Sequence, residues 1–269
     1  MKTRNLLLAL TAGLTLTNCA EDIEKLAKPY LDRAQESYAN SQYPLAKLQI
    51  DSIKQLYPKA FETRAQAQVL LIEVELAEAR ASKLYTDSLL AMAQEKAATL
   101  ATSLYLDKDA KYQDYGTYYA ALHRVEKNVG KSYLRPQANE KDGTFTITAY
   151  YRGKPIGANT LHFSAPDGSY VELKPIAEPH VMSDAIGRTE RTDFAATPDV
   201  AHFVAQHTSI KVTLIGNNGK AQMPFSKNDA KALTQVADLA SALQSSTTLQ
   251  AQQQELDRRI KFYEQRQAQ

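Results

Sequence analysis

Apolar residues recur every three or four positions through the first hundred residues and the last forty, and alternate one by one between these regions. Residues 22–103 hold no glycine and are rich in Ala, Leu, Gln, Glu and Lys, the stronger helix formers. Tyr30, Leu31, Ala34 and Tyr38 mark a first amphipathic stretch, which breaks near Asn40-Ser41. A second starts at Tyr43-Pro44, carries Ala46, Leu48, Ile50 and Ile53, and stops at Tyr57-Pro58. Proline suits the first turn of a helix, and the residue before a proline is pushed out of helical geometry. From residue 60 to 104, Phe61, Ala65, Val69, Ile72, Leu76, Ala79 and Lys83 advance by threes and fours, which predicts a long amphipathic helix. Such a helix runs on the order of 60 Å at 1.5 Å per residue, so another element must lie beside it. Breaks near Tyr85-Thr86-Asp87 or over residues 99–103 would divide it in two.

The partner expected from the pattern is the C-terminal segment. Ser226 followed by Asp229 reads as a capping pair. After it, Leu233, Val236, Ala240, Leu243, Leu249, Leu256 and Ile260 continue a helical stripe. Residues 244–254 are mostly Gln, Ser and Thr, and such a helix needs packing to persist. The expectation is an antiparallel two-helix stalk, residues 60–104 against 227–265.

Residues 132–225 change character. Glycine and proline appear, and Phe145, Ile147 and Ala149 alternate with threonines, followed by a turn at Arg152-Gly153-Lys154-Pro155. Turn signals at Pro166-Asp167-Gly168 and Asn217-Asn218-Gly219 are flanked by strand-forming runs, and Thr197-Pro198-Asp199 opens a short helix. The expected fold class is α+β: an N-terminal helical hairpin and long helix, a small β-sandwich-like domain of five to seven strands, and a long C-terminal helix. The expected domains are a signal segment over 1–18, a helical region over 19–131, a β domain over 132–225 and a coiled-coil helix over 226–269.

Two local resemblances refine this reading. Ala34, Tyr43, Ala46 and Ile50, counted back from Pro58, fall where a tetratricopeptide-like helix pair places such residues, but no second copy follows at the repeat spacing of about 34 residues. One hairpin is therefore expected rather than a solenoid. At the N-terminus, Lys2-Thr3-Arg4 forms a positive n-region and residues 6–16 an apolar core of signal-peptide length, too short to span a bilayer. Leu16-Thr17-Asn18-Cys19 resembles the lipobox of bacterial lipoproteins, which implies cleavage before Cys19 and acylation of its thiol. Each acyl chain contributes about 0.8 kcal/mol per buried methylene, so a lipid-modified Cys19 would hold the chain on a membrane. Glu21, Asp22 and Glu24 resemble the acidic export signal that follows the cysteine in some Bacteroidota lipoproteins. Initiation of a helix explains the same residues equally well. The resemblance implies an outer-membrane lipoprotein, facing the periplasm or the cell surface.

Composition narrows the function classes. Removing Lys2 and Arg4 from the 32 basic residues leaves as many as the 30 acidic ones, a neutral balance that argues against a nucleic-acid partner. Cys19 is the single cysteine, so neither a disulfide nor a thiolate metal site supports the fold. No cofactor or metal is expected.

Catalytic patterns are absent from the sequence. Nothing resembles a nucleophile elbow, a phosphate-binding glycine loop or a zinc helix. His202 and His207, five apart, point about 140° away from each other on a helix. His162 sits mid-strand; His180 with Asp184 is a conceivable hydrolytic pair without a nucleophile. Tryptophan is absent, whereas Tyr105, Tyr112, Tyr115, Tyr118, Tyr119, Tyr133, Tyr150 and Tyr151 make the least ordinary composition in the chain. Tyrosine combines an apolar face with a polar tip and is enriched at binding surfaces. Tyr112, Tyr115 and Tyr119 also fit one helical face, where they would pack a junction. Residues 188–191 read as a solvated strand edge.

The whole arrangement resembles Bacteroidota lipoproteins that have tetratricopeptide-like N-terminal helices, a central β module and a C-terminal coiled-coil helix. That resemblance transfers no activity and no catalytic residue. The leading expectation is a non-enzymatic lipid-anchored envelope protein whose β module binds a protein or polymer. An assembly factor holding a partner in its helical groove is the first alternative, and a hydrolase in the β domain the second. The candidate binding residues are Tyr38 and Tyr43 in the groove and Tyr115 and Tyr119 at the β module, with Cys19 the lipidation site.

Overall fold

The computed structural model describes residues 17–185 and 187–268, with side chains from Ile23 onward. The apolar N-terminal run and the Cys19 side chain lie outside the described residues. The fold class is α+β, as the pattern predicts. The chain divides into two units: one of residues up to Asp87 together with those from Gln252, the other Ser88–Ala251.

The first unit is helical. Helix α1 (Thr17–Ala39) and α2 (Tyr43–Leu56) form the expected hairpin, reversing through Ser41 at φ 58°, a left-handed position. Ala27, Leu31 and Ala34 of α1 meet Ala46, Ile50 and Ile53 of α2, and this core extends to Ala67, Leu70 and Val74 of α3 (Phe61–Ala101). The start of α3 is capped from another helix: the Glu24 carboxylate accepts from the Glu62 and Thr63 N–H groups at 3.1 and 3.0 Å and from the Thr63 hydroxyl at 2.6 Å. The Thr63 hydroxyl is the main reason that Glu24 is held below the usual carboxylate range.

Within this unit α3 runs antiparallel to α5 (Lys227–Gln267), as expected. Glu75 meets Arg259 at 2.9 Å, Lys83 meets Asp257 at 3.1 Å, and Gln253 donates to Asp87 at 2.7 Å. Lys47 of α2 joins from the other side, 2.7 Å from Glu78. The suspected break at Tyr85-Thr86-Asp87 does not occur, because Thr86 is buried and Asp87 is bonded both by Lys83 one turn earlier and by Gln253. The helix instead ends at Ala101, where the Thr102 and Ser103 hydroxyls donate back to the carbonyls of Thr99 and Leu100.

The second unit holds β1 (Tyr105–Asp107), β2 (Thr117–Tyr119), β3 (Tyr133–Asn139), β4 (Phe145–Arg152), β5 (Ala158–Ser164), β6 (Tyr170–Leu173), β7 (His180–Asp184) and β8 (Gly187–Ala195). Helix α4 (Pro198–Gln206), β9 (Lys211–Gly216) and β10 (Gly219–Met223) follow. All pairings are antiparallel, in one sheet of order β1-β2-β3-β4-β8-β7 and another of order β10-β9-β5-β6. The inner faces supply Leu134, Ile147, Phe194, Leu161, Phe163 and Leu214 to one core, which α4 completes with Val200 and Phe203 and α5 with Leu233 and Val236. Ala97 of α3 packs on Leu239 and Ala242 of α5 in a smaller cluster of the same unit. The Ser226–Asp229 capping box forms as predicted: the Ser226 N–H and hydroxyl donate to Asp229 at 2.7 and 2.6 Å.

Three expectations are corrected here. The β domain expected over 132–225 has eight strands among the described residues rather than five to seven, and residues 102–131, expected to be helical, form no α-helix and add two short strands to the larger sheet. Tyr105 and Tyr119 stand in register on β1 and β2, and short 3-10 turns occupy Ala121–His123 and Val125–Lys127. Tyr112, Tyr115 and Tyr119 therefore share no helical face. The physical reason lies between the strands: Gly116 approaches so closely that a Cβ there would lie 2.6 Å from the Asp107 carbonyl, which commits the chain to a strand reversal. The third correction concerns residues 188–191. β8 lies between β4 and β7 rather than at the edge, and Glu190 is 1 % exposed, facing inward. Its carboxylate accepts from the N–H groups of Ile156, Gly157 and Ala158 at 2.6, 3.1 and 2.7 Å, where the chain crosses from one sheet to the other.

Replacing Glu190 by Ala leaves three N–H groups at the crossover without their acceptor. At about 1–3 kcal/mol per buried unsatisfied group, a loss of at least about 3 kcal/mol is expected in urea unfolding. Gly143 has φ 69°, and a Cβ there would meet the Ala240 carbonyl at 2.3 Å. Gly143→Ala should cost more than about 1 kcal/mol in the same assay.

Candidate functional site: a tyrosine and arginine face on the six-stranded sheet

Strand pairing determines which side chains share the outer face of the larger sheet. Register sets Tyr105 beside Tyr119, Tyr133 beside Tyr150, Arg135 beside Thr148, and these last two pairs beside Arg191 and Asp193. Side chains two apart on a strand point to the same side, so all of these project away from the apolar core.

They form a continuous stack across four strands. Arg124 lies 4.5 Å above the Tyr105 ring, and Tyr105 is 5.4 Å from Tyr119. The Arg135 guanidinium follows, 4.8 Å from Tyr119 on one side and 5.2 Å from Tyr150 on the other. Tyr150 then stacks on Tyr133 at 4.5 Å with the rings 8° from parallel. Cation–π contacts contribute about 0.5–2 kcal/mol and aromatic pairs about 0.5–1.5 kcal/mol, so the stack rigidifies this face. At its end the Thr148 hydroxyl donates to Asp193 at 2.5 Å, and Asp193 pairs with Arg191 at 2.9 Å.

The electrostatics follow from burial. Tyr119 is 3 % exposed and its hydroxyl donates to Asp107 at 2.7 Å; burial first, and that bond second, push its pKa far above the ordinary phenol value. Burial likewise pushes Tyr133 up to about 12, against a smaller opposing pull from Arg135 and Arg191. Arg135 is half-buried, and its Nε–H donates to Gln137 at 3.1 Å. Among the described residues no carboxylate lies within ion-pairing distance of Arg135.

The expected site residues are dispersed. Tyr38 and Tyr43 come together at 6.5 Å, but they pack against the core of the helical unit. A cleft of about 400 Å³ does lie between α2 and α3, lined by Ile50, Ile53, Phe61, Ala65 and Leu71, and neither tyrosine lines it. Tyr115 is 51 % exposed on the β1–β2 loop, its ring between the ammonium groups of Lys108 and Lys141. Tyr119 lies within the stack. Sequence reasoning missed Arg124 and Arg135 altogether, and grouped Tyr133 and Tyr150 with the other tyrosines by composition alone. A signal existed in the strand alternation of Tyr133 with Arg135 and Gln137, though only pairing brings Tyr119 and Tyr150 to either side of Arg135.

His123, His162 and His207 make hydrogen bonds within the fold. His207 closes α4, its Nδ1–H donating to the Phe203 carbonyl at 2.8 Å. His180 and Asp184 stand at opposite ends of β7, about 13 Å apart at strand rise, and Asp184 pairs with Arg152. His123, not singled out in the sequence, is buried and bonds Asp229 at 2.8 Å. Burial alone would raise the Asp229 pKa; the bonds from His123 and Ser226 outweigh it and hold the group below its ordinary value. Among the described residues, no group of three or more His, Cys, Asp or Glu is placed to hold a metal ion, and no helix is long and apolar enough to cross a membrane.

Comparison of the chain with protein-family models, with curated proteins and with solved structures returned no match.

A raised phenol pKa favours the neutral form in the folded state. The stability Tyr133 contributes is therefore fully present below the ordinary value of 10, and is lost as pH rises from there through about 12. The urea midpoint of the wild type should fall across that window, and that of Tyr133→Phe should fall less.

Proposed function

We propose that this chain is a non-enzymatic, lipid-anchored protein of the bacterial envelope that binds a protein or polymer through the outer face of its six-stranded sheet. The observation that carries the reading is the stack itself: two guanidinium groups and four tyrosines ordered across four strands, with Arg135 short of a carboxylate partner. Ordering rotamer-rich side chains before a ligand arrives lowers the entropy lost on binding, so a pre-stacked face favours recognition. Tyr and Arg are also the side chains most enriched where binding energy concentrates. The anchor part of the reading rests on the lipobox resemblance at Cys19, and its location on the outer membrane rests on the same resemblance.

The α2–α3 cleft favours a second reading, a scaffold holding a partner helix, because Phe61 on its rim is 72 % exposed.

Cys19→Ser should move the protein from the membrane to the soluble fraction in cell fractionation; retention on the membrane would overturn the anchor. A photo-crosslinking residue at Gln137, on the stack face, should form adducts in intact cells. The same reporter at Gln222, exposed on the smaller sheet, should form none. Adducts at Gln222 but not at Gln137 would move binding off this face.

A further inference from the structure

Arg135 is the one cation of the stack face that is half-buried and, among the described residues, not ion-paired. Its neighbours there are engaged: Arg191 with Asp193, Arg152 with Asp184, and Arg124 with Glu126 at 3.3 Å. Asp107, the carboxylate on β1, is taken by the Tyr119 hydroxyl. Rings on both sides of the Arg135 guanidinium leave only its in-plane N–H groups for a ligand, and Gln137 uses one of them, at Nε. A guanidinium fixed in this way presents a planar, bidentate donor pair, the geometry that matches a carboxylate.

We propose that Arg135 is the recognition centre of this face and that its ligand is a carboxylate of an acidic polysaccharide. The inference rests on the reading of the sheet face as the binding surface and deepens it.

Three observations select this chemistry. A single uncompensated cation matches a singly charged carboxylate rather than a phosphate monoester, which carries up to two charges. Protein partners dock large apolar anchors into desolvated pockets, and on the outer positions of β2, β3, β4 and β8 no large hydrophobic side chain is exposed, each ring being covered by a guanidinium or by another ring. The remaining positions around Arg135 are uncharged and polar: Gln137, Asn139, Thr117 and Thr146, all on the same face. They offer the hydrogen-bond donors and acceptors that sugar hydroxyls need.

The test uses the full chain in detergent and polygalacturonate as the probe, with binding followed by tyrosine fluorescence, since the chain has no tryptophan. Methyl-esterified polygalacturonate, poly-L-glutamate and inorganic polyphosphate are run beside it. The expected result is binding to polygalacturonate that weakens with salt, falls at least tenfold on esterification, and falls at least tenfold in both Arg135→Gln and Arg135→Lys. An ammonium lacks the planar fork, so lysine should not rescue. Esterification tests the carboxylate on the unaltered protein, whatever the variants do to folding.

Equal or tighter binding of poly-L-glutamate would overturn the polysaccharide assignment. Preference for polyphosphate, or no binding to any of the four, would overturn the carboxylate site. Adducts at Gln137 in intact cells, together with any of these results, would leave the face as a binding surface and sink only its ligand; loss of those adducts sinks the face as well.

Discussion

The β module depends on one buried carboxylate. Where β4 leaves the larger sheet and β5 enters the smaller, three consecutive N–H groups turn inward with no strand to pair them, and Glu190 reaches across from β8 to accept all three. A buried carboxyl group is tolerated only when its bonds replace those to water, and the three N–H bonds do so. The arrangement fixes the crossover against β8 of the larger sheet. The far side is joined differently: after β6 the chain crosses back, with Pro175 bridging to Phe194 and the Ile176 N–H donating to the Asp193 backbone carbonyl. With both crossings held, the inner faces meet around Phe163, Ile147 and Phe194, and the outer face of the larger sheet is held in place from beneath.

That rigidity matters for the stack above it. Six side chains, five from four strands and Arg124 from between two 3-10 turns, line up only if strand register is exact to the residue, because a slip of one would turn Tyr133, Arg135 and Tyr150 into the core. Register in turn is pinned at the β3–β4 turn, where Gly143 rests against the backbone of α5 and the Gln244 side chain donates to its carbonyl at 2.9 Å. The buried core thus specifies the geometry of a surface it never touches.

The helical unit is held by a different balance. The hairpin of α1 and α2 buries a compact apolar core, but α5 there meets α3 largely through charged and amide side chains: Arg259 and Lys47 flank Glu75 and Glu78, and Lys83 bridges Asp87 and Asp257. Exposed ion pairs contribute little singly, commonly under about 1 kcal/mol, and shared networks with several partners contribute more. Their placement sets the pairing register of two helices whose apolar stripe is intermittent.

The sequence by itself determined the helices on either side of residues 102–226 and much of the strand pattern. Those features rest on local physics: the 3.6-residue period, proline at Pro44 and Pro58, the Ser226–Asp229 cap, and turn residues at Asp167-Gly168 and Asn218-Gly219. The antiparallel partnership of the long helices was legible too, since a long amphipathic stripe must be covered. Tertiary structure alone decided the rest. Glu190 reads as a solvated residue in a charged run, because nothing local reveals three unpaired N–H groups more than thirty positions earlier in the chain. The tyrosine-rich segment matches a helical spacing at 112, 115 and 119, yet the close approach at Gly116 and pairing with β3 override it. The stack exists only through pairing between strands up to 45 residues apart along the chain, from Tyr105 to Tyr150. Periodicity says which side of its own strand a residue takes, and only the assembled sheet says which residues of other strands stand beside it.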